Sequence, residues 1–179
     1  MKRKVLPLLL TACLIVGSPL ESTAKSLLFH ATSKALARKL KAKGFSVCKM
    51  KARARFGKGL YFSRQPKTAI LEKKRADALL RVRVKSNVTG KSINLVRPTP
   101  KKVGTLYKYN DLRGTTKNGV IGPKLGHKLG RRAAKMGKAI RYRSATDPRG
   151  VNYFVPRKMY KRNPKIILKI KMKSGGRYQ

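Results

Sequence analysis

Side chains able to do chemistry are scarce in this sequence, and the scarcity narrows what it can catalyse. Beyond residue 24 the carboxylates are Glu72, Asp77, Asp111 and Asp147, and the histidines are His30 and His127. A zinc site needs clustered Cys and His ligands, and no such cluster exists, which argues against metal chemistry. Paired-carboxylate catalysis fares no better. Glu72 and Asp77 share a predicted helix, but a five-residue separation puts them about 140° apart around its axis. Neither a Walker phosphate loop nor a dinucleotide-binding glycine pattern is present. What remains is an ordered set: His30-Ala31-Thr32, then Phe56-Gly57-Lys58-Gly59-Leu60-Tyr61-Phe62, Lys67-Thr68-Ala69 with Glu72, Ser144, and Asp147 through Asn152.

The first three segments resemble the NAD⁺-binding half of the poly-ADP-ribose polymerases, and Val151–Val155 with Lys165–Ile170 resembles that family's last core strands. An overlapping likeness is to the RES-domain NAD⁺-degrading toxins. Its carriers are Leu60-Tyr61-Phe62-Ser63, Thr68-Ala69-Ile70-Leu71-Glu72 and Arg141-Tyr142-Arg143-Ser144 with Asp147–Asn152. Both resemblances imply an ADP-ribosyltransferase-like α+β fold of two small antiparallel sheets with few helices. They imply NAD⁺ as substrate and no metal.

The resemblance also implies roles. Backbone groups at Ala31 would hold the nicotinamide carboxamide, with Thr68 donating to it. His30 would bond ribose hydroxyls, and Tyr61 would stack on the pyridinium, a pairing worth about 1 kcal/mol. The RES-type arginine, glutamate and serine would be Arg55 (or, less well spaced, Arg53), Glu72 and Ser144. Thr32 and Gly59 complete the NAD⁺-contacting set. Cleaving the nicotinamide–ribose bond passes through an oxocarbenium-like state that a neighbouring carboxylate stabilises. Here the chain departs from the polymerases, which place a glutamate where this sequence has Asn152. Asparagine supplies no charge, so chain-elongating activity is not expected, and Glu72 is the replacement carboxylate.

The elements that must position these residues are partly legible. Leu27–His30 reads as a strand. Ser33 caps a helix through Lys43 with Leu36 and Leu40 on one face and Gly44 as its stop. Leu60–Phe62 is a second strand, and Pro66 opens a helix to about residue 78. Leu80, Val82 and Val84 alternate with basic residues as a half-buried strand does. Residues 86–122 give no clear pattern. A helix is expected over 125–136, weakened by Gly126 and Gly130, followed by strands at 139–142 and 151–155 around a turn at 147–150. Arg162-Asn163-Pro164 turns into a final strand with Ile166, Leu168, Ile170 and Met172 on one side.

Residues 1–24 read as a secretory signal: Lys2-Arg3-Lys4, a 13-residue apolar run from Val5 to Gly17, and Ser22-Thr23-Ala24 before the cut. The run is shorter than the roughly 20 residues of a membrane span. Leu10-Thr11-Ala12-Cys13 also fits a lipobox, but the apolar run continues past Cys13, which favours plain export to the periplasm or medium. The remaining 155 residues form one domain, 25–179, with Cys48 as the only thiol, expected to be buried and inert. Loss of three cations and one anion takes the formal charge from +42 to +40. A field this strong recruits polyanions and exceeds what one dinucleotide needs. The expected function is therefore an exported NAD⁺-cleaving enzyme, a toxin or effector that an immunity protein could accompany. The alternative is a non-enzymatic binder of nucleic acid or other polyanions on a degenerate version of the same fold.

Overall fold

A computed structural model describes residues 25–173 apart from 49, 74 and 105–118. Residues 1–24, read above as a secretory signal and including Cys13, lie outside the described residues, as does Asp111.

The chain forms strand β1 (Lys25–Thr32), helix α1 (Lys34–Lys43), β2 (Gly59–Ser63), α2 (Pro66–Glu72) and β3 (Ala78–Lys85). It continues through α3 (Ser86–Gly90), β4 (Ile93–Leu95), α4 (Pro100–Gly104), α5 (Pro123–Met136), β5 (Ile140–Arg143), β6 (Val151–Pro156) and α6 (Arg157–Arg162). A short 3-10 turn then leads into β7 (Ile167–Lys173). The fold class is α+β, but the expected pair of antiparallel sheets is replaced by one seven-stranded sheet ordered β4-β5-β6-β2-β1-β3-β7. It is mixed, because β4 runs parallel to β5 while the other neighbours are antiparallel. The tie between its two halves is thin: β1 pairs with β3 through eight residues but with β2 only through Phe29↔Ser63.

Local chemistry explains most element ends. Ser33 caps α1 by accepting from the Leu36 amide at 3.3 Å, and Gly44 closes it at φ 72°. Ala37 and Leu40 face the core, whereas Leu36, expected beside Leu40, is 39% exposed. Helix α2 stops at Glu72, short of the expected residue 78, because Arg75 turns the chain at φ 62° before β3 begins. In β7 the expected stripe breaks at Leu168. Arg83 pairs with Lys169 and Val84 with Ile167, so a bulge leaves Leu168 unopposed and exposed. Cys48 lies between α1 and β2 and is exposed, contrary to expectation. No described helix is long and apolar enough to cross a membrane.

The core divides across the sheet. Leu28, Phe62, Leu80, Val82 and Val155 pack beneath α1 on one face. Phe56, Leu129, Ile140, Tyr142 and Phe154 pack with α5 on the other. Successive residues of a strand serve opposite faces, so β2 and β6 feed both clusters: Leu60, Phe62, Tyr153 and Val155 join the first, Tyr61 and Phe154 the second.

Candidate active site

The thin β1–β2 junction is where a site opens. The Nδ1–H of His30 donates to the Tyr61 carbonyl at 2.9 Å across the gap. A cavity of about 330 Å³ lies there, lined by His30 and Ala31 from β1, Tyr61 from β2, Glu72 from α2, and Arg55, Tyr142 and Asn152. Residues more than a hundred positions apart thus share one surface.

Glu72 is held by three donors on one oxygen. Ser144 Oγ donates to Oε1 at 2.6 Å, Asn152 Nδ2 at 2.8 Å, and the Ala145 amide at 3.3 Å. Direction is enforced at each step. Ser144 Oγ accepts the amides of Thr146 (3.1 Å) and Asp147 (3.0 Å), so its own proton goes to Glu72. The Asn152 Oδ1 accepts from Ser63 Oγ at 2.6 Å, which turns its amide nitrogen toward the carboxylate. Linked hydrogen bonds of this kind fix the direction of each member, since rotating one breaks the bonds of its neighbours.

Arg55 is aimed from the opposite wall. Its guanidinium carbon sits 5.6 Å from the centre of the Tyr142 ring, and NH1 is buried without a hydrogen-bond partner among the described residues. Its backbone is clamped twice. The Tyr61 hydroxyl donates to the Gly57 carbonyl (2.8 Å) and accepts the Phe56 amide (3.0 Å). On the other side, a β-carbon at Gly126 or Gly130 would collide with the carbonyls of Arg55 and Phe56. The glycines that weaken α5 in sequence are therefore what let it seat this loop.

Burial lowers the pKa of His30, reinforced by Lys73 and only partly opposed by the bond to Tyr61. The ring is neutral at pH 7, and with Nδ1 donating, Nε2 is left as the acceptor. Burial raises the pKa of Tyr61, which stays protonated. Tyr142 is raised too, by burial and then by the charge of Glu72.

Six of the ten expected site residues line the cavity: His30, Ala31, Arg55, Tyr61, Glu72 and Asn152. The other four are placed differently. Ser144 acts on Glu72 from behind. Thr68 is fully buried and donates to Asp147 Oδ2 at 2.6 Å, so its hydroxyl is committed to anchoring the 147–150 turn. Thr32 is buried in register with Ala78. Gly59 packs under the Phe154 ring, where a side chain would not fit. Sequence reasoning missed Tyr142 and Ser63. The alternation of Arg141-Tyr142-Arg143 marks Tyr142 as inward-facing, whereas nothing local marks Ser63.

Among the described residues no group of three or more His, Cys, Asp or Glu could hold a metal ion. A second cavity of about 590 Å³ adjoins the first at His30, Ala54 and Tyr61 and carries Lys39, Lys43 and Lys51. No protein-family model matches the chain, and no curated protein is significantly similar to it.

Proposed function

We propose that this protein cleaves NAD⁺ at the nicotinamide–ribose bond on an ADP-ribosyltransferase-like fold, and that it acts as an exported toxin or effector. The observation that carries the reading is the convergence of Glu72, Asn152, His30, Tyr61 and Arg55 on one cavity, with Ser144 bonded to Glu72 from behind it. The adjoining cavities suit a two-lobed dinucleotide, and the lysines of the second suit its pyrophosphate.

In the reaction the C–N bond breaks and its electron pair leaves with neutral nicotinamide. Positive charge develops on the ribose, and the fixed carboxylate of Glu72 opposes it. An acceptor oxygen then bonds to the anomeric carbon and gives up its proton. His30, a neutral acceptor at Nε2, is suited to bond a ribose hydroxyl. Asn152 serves by holding Glu72, which gives the position a use without a charge. The purified protein should release nicotinamide from NAD⁺, and Glu72→Gln should lower the rate by about 100-fold or more. His30→Ala should also abolish release. Full activity in both variants would sink the assignment, and mass spectrometry of the ribosyl product would identify the acceptor.

A second reading, polyanion binding without catalysis, is favoured by the sheet edge. There Arg81 faces Lys171 and Arg83 faces Lys169, and all four are exposed. Like charges directly opposite one another destabilise a sheet, and a polyanion laid along them would relieve that. An inactive protein with tight, salt-sensitive DNA binding would select this reading.

A further inference from the structure

On the sheet face opposite the Glu72 cavity lies a cleft of about 540 Å³. Its polar lining is Arg64, Arg141, Asn94 and the hydroxyl residues Ser26, Thr89 and Ser92, with no carboxylate. Strand register explains the placement. Tyr142 pairs with Asn152, and both line the catalytic cavity, while Arg141 pairs with Tyr153, and both line the cleft. The same two strands therefore present a carboxylate-holding face and a cationic face.

The Arg141 Nε is buried and has no hydrogen-bond partner among the described residues. A buried, unpaired N–H of a cation is costly, and an acceptor inside the fold would normally satisfy it. The described carboxylates are occupied elsewhere: Glu72 by Ser144 and Asn152, Asp77 by the Lys34 amide, and Asp147 by Thr68 and the Arg149 amide. The hydroxyls are arranged around a fixed relay. Ser92 donates to the Thr89 carbonyl at 2.6 Å, Thr89 donates to the Ser86 carbonyl at 3.1 Å, and Ser26 lies 2.6 Å from Thr89 Oγ1. These hydroxyls bond to one another and to backbone carbonyls, and none of them accepts from Arg141 Nε.

We propose that this cleft binds a phosphoryl group, delivered either as free phosphate or as a phosphodiester of a nucleic-acid backbone, with Arg141 and Arg64 as its cationic ligands. Planar guanidinium groups match phosphate oxygens in charge and geometry. The proposal does not rest on NAD⁺ cleavage and survives if that reading fails.

Titrating the full chain with inorganic phosphate at fixed ionic strength should saturate one site. Arg141→Gln should weaken it about ten-fold, the loss of one charge-assisted bond. Arg64→Gln, on an exposed side chain, should act in the same direction without risk to the fold. Arg131→Gln removes an equal charge from the exposed side of α5 and should leave phosphate affinity unchanged. A short single-stranded oligonucleotide that competes with phosphate identifies the backbone phosphodiester as the source, and failure to compete identifies free phosphate. Phosphate binding that never saturates, or that weakens equally in all three variants, would overturn the proposal.

Discussion

The two faces of β5 and β6 treat charge in opposite ways. On one, three donors converge on one oxygen of Glu72, and further bonds fix the direction of Ser144 and Asn152. On the other, Arg141 keeps a buried nitrogen unpaired, as Arg55 also does in the lining of the Glu72 cavity. The described carboxylates are thus taken up by hydroxyl and amide donors, and these two buried guanidinium nitrogens are left without an acceptor among the described residues. A chain with 47 basic and 5 acidic residues cannot pair them internally.

That contrast breaks most sharply at Ser144. Ser144 is 1% exposed and joins Glu72 to two backbone amides, so Ser144→Ala leaves the Thr146 and Asp147 amides without their acceptor and removes one of the three donors to Glu72. Stability should fall by about 2 kcal/mol, the usual cost of leaving buried groups unsatisfied. Nicotinamide release should drop further than stability alone explains, because Glu72 loses its aim. Denaturant unfolding and steady-state kinetics on one preparation would separate the two effects. Unchanged values for both would mean that the network is incidental.

A smaller effect is expected where helix α5 meets the arginine loop. Alanine at Gly130 gains about 1 kcal/mol of helix propensity but drives a methyl into the Phe56 backbone. Overpacking of that kind costs about 1–3 kcal/mol, so Gly130→Ala should be net destabilising, and the displaced Arg55 should raise KM more than it lowers kcat. A more stable Gly130→Ala protein would show that the close approach is not required.

Gly130 also shows where sequence reading failed and why. The helix over 123–136 is visible from its apolar spacing, yet its glycines read only as weaknesses until the neighbouring backbone is known. His30, Tyr61 and Glu72 are legible because a local motif surrounds each. The use of Thr68 is not, since its partner Asp147 comes from a turn 79 residues away. Strand existence at β1, β2, β3, β5 and β6 follows from short-range pattern. The merging of all seven into a single sheet depends on strand partners, and nothing in a strand's own sequence names its neighbour. Helices α3, α4 and α6 are six residues or fewer, too short for hydrophobic periodicity to register.

The mildest effect is expected at His30, on β1 and bonded to the Tyr61 carbonyl of β2. His30 has its pKa lowered by burial below the ordinary value of 6.5, so the folded protein holds the ring neutral where the unfolded chain begins to protonate it. The neutral ring is favourable above 6.5. As pH falls from 6.5 through the folded pKa, the unfolded state binds the extra proton first and stability declines. His30→Gln should flatten that part of the stability–pH curve while leaving the region above pH 7 nearly parallel. Catalysis should follow the same group: the acid limb of nicotinamide release should lie below 6.5, because Nε2 stays an acceptor until the ring protonates. An acid limb centred at 6.5 or above would mean that His30 is solvated in the working enzyme. The β1–β2 junction would then have to open further than the Tyr61 carbonyl bond allows.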